Sequence, residues 1–276
     1  MHVFTKKDVI ELWPKRDQNS YKGTYGKVGI IAGSINMPGA SVLSTKAAVR
    51  SGAGLTTANI PNENFSILGV HVPEAMLYNR EDNLENFYEN LDSILIGPGL
   101  GDFDEDYLKT LIQKFKGILV IDADGLTHVK PLLKYIRERT APTIITPHFG
   151  EMARILDLNI QEVINNQKEV AKSFVEENNV YVVLKGSETV VSSPKSTTNL
   201  NRGNTGLAKG GSGDVLAGMI LGFSNRYENL TDAIHSAVFM HGYTAEYVSE
   251  FKAVEAMTAM DIVDYLGESM LHVKKS

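Results

Sequence analysis

The sequence contains no cysteine among its 276 residues. Disulfide bonds, thiolate catalysis and cysteine-bound zinc or iron–sulfur clusters are therefore excluded. It also lacks the run of roughly 20 apolar residues that a membrane-spanning helix needs, and its N-terminus lacks the apolar core of a signal peptide. Acidic residues outnumber Lys and Arg, 33 to 27, and the resulting net charge of −6 disfavours broad binding to nucleic acid or anionic membranes. We therefore predict a cytoplasmic protein without a nucleic-acid or membrane partner, although a local phosphate site remains open.

Short runs rich in β-branched residues alternate with longer amphipathic segments along most of the chain. This alternation predicts repeated strand–helix–strand units, and hence a mainly parallel sheet with helices on both faces. After Lys185 the pattern changes to a β-hairpin and a loop, followed by three helices. No linker divides the chain, so residues 1–276 are predicted to form a single domain. The predicted strands are 27–33, 55–60, 92–97, 117–122, 141–146 and 180–185, and the predicted helices are 41–51, 104–115, 151–157, 161–176, 213–223, 231–250 and 257–265.

One stretch, GLAKGGSGDVLAGM (residues 206–219), places four glycines and an aspartate directly before an apolar run. The run predicts a helix, and the free N–H groups and positive dipole end of a helix N-terminus favour an anion such as phosphate. A phosphate would repel Asp214 unless the carboxylate faced the other reactant, such as a hydroxyl that loses its proton as it attacks phosphorus. The stretch matches neither a Walker A loop nor G-x-G-x-x-G. A plain turn capped by Ser212 or Asp214 remains an alternative reading.

The segment GNTGLAKGGSGDVLAGMI (203–220) resembles the G-[ST]-G-D signature of the ribokinase-like superfamily, and more specifically the NAD(P)H-hydrate dehydratase family of nicotinamide-repair enzymes. This resemblance implies a ribokinase-like three-layer α/β/α sandwich with a mainly parallel central sheet. The sequence departs from the family pattern at Phe149, Thr205, Lys209 and Ser212, of which Ser212 keeps the hydroxyl of the more common threonine. Six further segments carry the same resemblance in order: MPGASVLSTKAAVRSGAGLTT (37–57), IGPGLG (96–101), VIDADGL (120–126), ITPHFGEMARIL (145–156), VVLKGSETVV (182–191) and SAVFMHGYTAE (236–246).

The resemblance implies that the protein dehydrates the 6S hydrate of NADH or NADPH, driven by ADP or ATP, with ADP as the expected nucleotide. Asp214 would deprotonate the ring hydroxyl as it attacks the terminal phosphorus, and the N–H groups of Gly211, Ser212 and Gly213 would hold the charge on the phosphoryl oxygens. Loss of phosphate would then restore the ring double bond. Two alternatives stay open: a kinase of the same superfamily acting on a vitamin alcohol such as a hydroxymethylpyrimidine or hydroxyethylthiazole, and a nucleotide-binding module without turnover.

Further site residues are implied only by the resemblance. Ala40, Gly101 and His148 would contact the hydrated dinucleotide together with Asp214. Glu151 would reach Mg²⁺ through water, although an acid that favours its own helix N-terminus is the alternative. The nucleotide would be contacted by Gly213 and by Lys185, Gly186, Ser187, Glu188 and Thr189, a segment that could equally be a hairpin turn.

Four more residues and two partners complete the expectations. Asp122 and Asp124 lie close to a predicted strand end, where they could assist with metal or substrate. His235 and His241 lie on a predicted helix and are expected to be packing or surface residues. The resemblance also implies a homotetramer, and a separate epimerase for conversion of the R hydrate.

Overall fold

A nine-stranded sheet forms the centre of the structure, a computed structural model that describes residues 4–275. Its strands are β1 (Lys27–Ile31), β2 (Leu55–Ile60), β3 (Met76–Asn79), β4 (Ser93–Ile96), β5 (Ile118–Ile121), β6 (Thr143–Ile145), β7 (Tyr181–Leu184), β8 (Thr189–Ser193) and β9 (Ser196–Leu200). The strand order is β3-β2-β1-β4-β5-β6-β7-β8-β9. Strands β1 to β7 pair in parallel, whereas β8 and β9 extend the sheet from β7 by antiparallel pairing. The predicted mainly parallel sheet and the predicted hairpin are therefore confirmed.

Two hydrophobic cores lie on opposite faces of this sheet. Successive residues of a strand point to opposite faces, and in β5 Val120 belongs to one core while Leu119 and Ile121 belong to the other. The strands are apolar on both faces because each face is covered, as a parallel sheet requires. The helices are α1 (Lys6–Glu11), α2 (Pro38–Arg50), α3 (Phe65–His71), α4 (Leu84–Tyr88), α5 (Glu105–Lys114), α6 (Val129–Arg137), α7 (Phe149–Leu156), α8 (Ile160–Asn165), α9 (Gln167–Asn178), α10 (Ser212–Ser224), α11 (Leu230–Ser249), α12 (Ala259–Asp264) and α13 (Leu266–Lys275).

The structure corrects the predicted helices in two places. The helix predicted at 161–176 is two helices, because Asn166, with φ −126° and ψ 35°, leaves the helical conformation between α8 and α9. The three helices predicted after the hairpin are four, since α12 ends at Asp264 and α13 follows. In the part of the chain from 4 to 275, no helix combines the length and the apolar character needed to cross a bilayer.

Helices α2 and α10 pack with their backbones in contact. A Cβ at position 218 would lie 2.2 Å from the carbonyl oxygen of Ser44, and one at position 222 would lie 2.7 Å from that of Ala48. Glycine is therefore required at Gly218 and Gly222 by the close approach of α2. The contact matters for the site because α10 begins in the glycine-rich stretch.

Candidate active site

Three strand ends and one helix start meet at the carboxyl edge of the sheet. Asp122 follows β5, Lys185 follows β7, and His148 pairs with Lys185 through an isolated parallel bridge beyond β6. Functional groups collect at this edge in open α/β sheets. Asp214 joins them as the third residue of α10, and its pKa responds to the charges of Asp122 and Lys185.

The glycine-rich stretch forms a tight loop that leads directly into α10. Gly211, the residue before the helix, has φ +89°, a left-handed conformation that disfavours any side chain, and a Cβ there would lie 2.4 Å from Cδ1 of Leu43. The Nζ of Lys209 anchors the loop by donating to the carbonyl oxygens of Glu255 and Met257.

The amides at the helix start are available to an anion to different degrees. The N–H of Ser212 makes a long contact of 3.4 Å to the carbonyl oxygen of Lys209. The N–H groups of Gly211 and Gly213 donate no hydrogen bond to another described residue. Unpaired amides at a helix N-terminus form an anion site together with the helix dipole. A second observation supports this site: Lys185 Nζ lies only 3.4 Å from the position that a Cβ on Gly213 would take.

Asp214 has the electrostatic environment of a general base. Burial raises its pKa from 3.8 to about 6; Asp122 and Asp124 add to the rise, and Lys185 opposes it. The carboxylate is therefore mostly ionised at neutral pH, yet it accepts a proton more readily than an exposed aspartate. Strongly perturbed carboxylates cluster at functional sites, which makes Asp214 a candidate for one.

Lys185 is the cation at the centre of the cluster. Its Nζ lies 2.6 Å from Oδ1 of Asp122, which is 1% exposed and also accepts from Thr146 Oγ1 at 2.6 Å. Burial lowers the pKa of Lys185, but Asp122 and Glu151 outweigh burial and hold that pKa above its usual value. Lys185 therefore stays charged beside the helix start, where a phosphoryl group would need a counter-charge.

His148 and Glu151 form the N-terminal cap of α7. Nδ1 of His148 accepts from the N–H groups of Gly150 and Glu151 at 3.0 and 3.1 Å, and Glu151 Oε2 accepts from the His148 N–H at 2.7 Å. Burial raises the pKa of Glu151, and Lys185 counteracts the rise. Both residues thus have the helix-capping role that was the alternative for Glu151, and their predicted roles toward substrate and Mg²⁺ stay predictions.

His241 is a site residue that the sequence analysis missed. Both His235 and His241 were expected to be packing or surface residues, and His235 is buried, at 4% exposed. His241 is buried as well, at 8% exposed, but it also contacts the site, because its Nε2 lies 3.1 Å from the carbonyl oxygen and 3.3 Å from Oγ of Ser212 at the start of α10. Burial lowers its pKa to about 4, so the neutral imidazole donates from Nε2 to that carbonyl. Helical periodicity carries no signal that separates His241 from His235.

Two cavities lie near the cluster: Lys185 lines one, and Gly101, which donates to Asp124, lines the other. The first, of about 560 Å³, is called here the glycine-loop cavity, and the second, of about 660 Å³, the β1–β4 cavity because it lies beyond the ends of those four strands. Both fall within the range of about 300–1,000 Å³ that is typical of ligand and cofactor sites. The glycine-loop cavity is lined by Ser212, Gly213, Lys185, Gly186, Thr189, His148, His241, Arg202, Gly242, Val238, Leu207, Ala208, Lys209, Gly210 and Leu216.

The predicted substrate residues are divided between these cavities. Gly101 lines the β1–β4 cavity, and its N–H donates to Asp124 Oδ2 at 2.8 Å. His148 lines the glycine-loop cavity instead. Ala40, in the first turn of α2, packs against the IGPGLG loop, where a Cβ on Gly99 would come within 2.6 Å of it.

The predicted nucleotide segment is also divided. Lys185, Gly186 and Thr189 line the glycine-loop cavity. Ser187 and Glu188 are absent from its described lining, and Glu188 accepts a hydrogen bond from Asn199 on β9. The segment is at once the hairpin turn between β7 and β8 and a wall of the cavity, so the two readings of the sequence are compatible.

The residues present fit a magnesium ion only if a nucleotide carries it. Among residues 4–275 there is no cluster of three or more His, Asp or Glu side chains able to hold a metal. Oδ2 of Asp122 is, however, a buried oxygen without a hydrogen-bond partner in the described chain. Mg²⁺ keeps several waters and takes phosphate oxygens, so Asp122 and Glu151 fit it as groups that act through those waters.

Fold and site together place the chain in the class of ribokinase-like α/β proteins. A hydroxyethylthiazole kinase from Pyrococcus horikoshii has this fold, with a TM-score of 0.62 over 95% of this chain and 91% of that one, but only 17% sequence identity. That likeness shows the fold alone. A family model described as NAD(P)H-hydrate dehydratase matches residues 28–268. The chain belongs to this family, and the predicted family and fold are therefore confirmed.

Similar proteins of matching length come from Bacillus subtilis. The ADP-dependent (S)-NAD(P)H-hydrate dehydratase of strain 168 is 33% identical over 271 residues, which cover 95% of each chain. The crystal structure of the ADP/ATP-dependent NAD(P)H-hydrate dehydratase of this organism, co-crystallised with ATP and Mg²⁺, has a TM-score of 0.88, 30% identity and 98% coverage of both chains.

Longer relatives match as well. The bifunctional NAD(P)H-hydrate repair enzyme Nnr of Thermofilum pendens is 33% identical over 279 residues, covering 95% of this chain and 53% of that protein. The chain thus spans about half the length of the bifunctional relatives that it matches.

Proposed function

We propose that this chain is a lyase that dehydrates the 6S hydrates of NADH and NADPH, driven by ADP or ATP. The observation that carries the proposal is the position of Asp214, which stands on the first turn of α10 beside unpaired amides and Lys185. Lys185 lines one cavity, and Asp124, whose charge acts on Asp214, accepts a hydrogen bond from Gly101 in the lining of the other. A reaction between a nucleotide and a large alcohol needs room for both reactants near a base. The dehydratase names of the relatives of matching length support the same reaction.

The first step is transfer of a phosphoryl group to the ring hydroxyl. The hydroxyl oxygen attacks the terminal phosphorus, Asp214 accepts the hydroxyl proton, and the bond from phosphorus to the bridging oxygen breaks. AMP leaves if ADP is the donor, and ADP leaves if ATP is the donor. The N–H groups of Gly211 and Gly213 and the ammonium of Lys185 stabilise the charge on the phosphoryl oxygens, and each such donor contributes about 3 kcal/mol to transition-state stabilisation in other enzymes.

The second step needs little help from the protein. The lone pair of the ring nitrogen expels phosphate, so the carbon–oxygen bond breaks and the nitrogen–carbon bond becomes a double bond. The neighbouring ring carbon then gives a proton to the released phosphate, which restores the ring double bond and the neutral nitrogen. Phosphorylation matters because hydroxide is a poor leaving group and phosphate is a good one. Mg²⁺ bound to the nucleotide would neutralise phosphate charge, with Asp122 and Glu151 next to its waters.

Recovery of reduced nicotinamide tests the proposal. The chain is mixed with Mg²⁺, hydrated NADH and either ADP or ATP, and near-ultraviolet absorbance is followed while phosphate release is measured. We expect the absorbance to return in step with phosphate, and only from the 6S hydrate. Phosphorylation of a hydroxymethylpyrimidine or hydroxyethylthiazole without such recovery would establish the kinase alternative, and nucleotide binding without either would establish the module without turnover.

The assembly and the supply of substrate are also proposals. The resemblance supports a homotetramer in the cytoplasm. Light scattering coupled to gel filtration would measure the mass of the assembly and so test the tetramer. The double length and bifunctional names of relatives such as that of Thermofilum pendens support a dependence on a second activity, an epimerase for the R hydrate. With a mixture of hydrates, we expect fast recovery to stop at the S fraction until an epimerase is added.

A further inference from the structure

The β1–β4 cavity adjoins the catalytic cluster through Asp124. The Oδ2 of Asp124 accepts the N–H of Gly101, a lining residue of this cavity, at 2.8 Å, and the charge of Asp124 raises the pKa of Asp214. The glycine-loop cavity, with its helix amides and Lys185, has the groups for the nucleotide. If the proposed function holds, the β1–β4 cavity is therefore the place for the hydrated dinucleotide.

Arg80 is the single cation among the described lining residues of this cavity. Its Nε donates to Oδ1 of Asn59 at 2.6 Å, and its Nη2 donates to the carbonyl oxygens of Asn59 and Ala32 at 2.6 and 2.9 Å. These bonds hold the guanidinium rigidly at the carboxyl ends of β1 and β2. Nη1 donates no hydrogen bond to another described residue.

The charge of Arg80 has no carboxylate partner within ion-pair distance in residues 4–275. Burial lowers its pKa to about 10, so it remains protonated at neutral pH. Arg80 is half-buried, and a half-buried cation without a counter-charge still loses part of its hydration. A rigid guanidinium with a free nitrogen is suited to a phosphate oxygen. The other charged lining residues are all acidic, namely Glu63, Glu81, Asp102 and Asp104, so an anionic ligand can place its charge only at Arg80.

We propose that Arg80 binds a phosphate of the pyrophosphate bridge of the hydrated dinucleotide. The β1–β4 cavity then holds the part of the substrate beyond the nicotinamide ring. Arg80 binds and orients the substrate without touching the reacting atoms.

A comparison of two substrates tests this role. Hydrated NADH carries the pyrophosphate, whereas the hydrate of reduced nicotinamide riboside carries the same ring hydroxyl and no phosphate. In Arg80→Gln we expect kcat/KM for hydrated NADH to fall about tenfold or more, the effect of losing a charge-assisted hydrogen bond. We expect kcat/KM for the riboside hydrate, and KM for ADP, to change less than about twofold.

Arg139→Gln is the matched control. Arg139 is a buried arginine with a pKa also lowered to about 10 by burial, and it donates to the carbonyl oxygens of Leu111, Ile112, Phe115 and Gly117. Its loss removes a similar set of carbonyl contacts, so we expect a similar fall in unfolding temperature without a change in the ratio of the two substrates.

Each outcome bears on one of the two proposals. An Arg80→Gln variant that slows both substrates equally, or neither, overturns the role of Arg80. If the variant does not fold, the wild-type protein decides, because less than a threefold preference for hydrated NADH over the riboside hydrate also overturns it. A folded wild-type protein that is inactive on both hydrates contradicts the proposed function itself.

Discussion

Replacing Asp214 by asparagine separates the catalytic role of this residue from its cost to stability. The change keeps the shape of the side chain and removes the carboxylate that accepts the proton. A positioned general base accelerates reactions by roughly 10²- to 10⁴-fold, so we expect kcat to fall by at least about a hundredfold. The affinity for ADP should persist or increase, because a negative charge beside the phosphates is removed.

The same substitution should stabilise the fold. Burial raises the pKa of Asp214 from 3.8 to about 6, so between these pH values the folded state binds more protons than the unfolded state, and stability falls as the pH rises. Above about pH 6 the ionised carboxylate carries the whole penalty, which corresponds to about 3 kcal/mol for this difference in pKa. Asp214→Asn removes that penalty, and we expect its unfolding free energy at pH 7 to exceed that of the wild type by up to about this amount.

The assay combines recovery of reduced nicotinamide with urea unfolding at several pH values. In the wild type, kcat/KM should rise with pH and reach half its plateau at about pH 6. Asp232→Asn is the control, because Asp232 occupies the same third position of α11, and it should leave kcat unchanged. An Asp214→Asn variant with turnover comparable to the wild type would refute the assignment of the base.

Three further predictions concern the groups around Asp214. Lys185→Gln should lower kcat about tenfold or more, because the counter-charge for the phosphoryl group is lost. It should also shift the acidic limb of the pH profile above about pH 6, because Lys185 holds the pKa of Asp214 down, and an unshifted limb would contradict this charge coupling. Gly211→Ala should lower the unfolding temperature and weaken ADP binding, because a side chain at φ +89° is strained and also meets Leu43. Gly210→Ala, whose Cβ meets nothing within 4 Å, should leave the unfolding temperature unchanged. Hydrated NADPH should have a higher KM than hydrated NADH, and the ratio should shrink with added salt, because the acidic lining of the β1–β4 cavity repels an extra phosphate.

Regular patterns in the sequence predicted the sheet well. The runs 55–60 and 180–185 are rich in β-branched or small apolar residues and became β2 and β7 with nearly the predicted bounds. The strand β3 escaped prediction because Met76–Asn79 has no β-branched residue and lies at the edge of the sheet, where burial imposes no pattern. Asn166 divides a helix whose polar surface pattern continues through it, so only the backbone reveals the break.

The sequence pointed to those parts of the candidate site whose residues are neighbours along the chain, and their roles stay predictions. Glycines and an acid before an apolar run predict a helix whose free N-terminal amides favour a phosphate. This local pattern predicts a role for Asp214. Arg80, Asp122 and His241 make hydrogen bonds with residues that are 21 to 63 positions away along the chain, namely Asn59, Lys185 and Ser212. Sequence patterns cannot show such pairs, because the fold alone brings them together.

The absence of side chains at Gly218 and Gly222 has a consequence for the distance between the two cavities. With backbone against backbone, α2 and α10 are held as one rigid unit. Met37, the residue before α2, lines the β1–β4 cavity, and Gly210, just before α10, lines the glycine-loop cavity. The packing of the two helices then fixes the distance between a phosphoryl donor at the start of α10 and an acceptor in the β1–β4 cavity. If the proposed function holds, an alcohol bound an ångström too deep or too shallow would miss the phosphorus, so the length of the alcohol would matter for selection as well as its chemical groups.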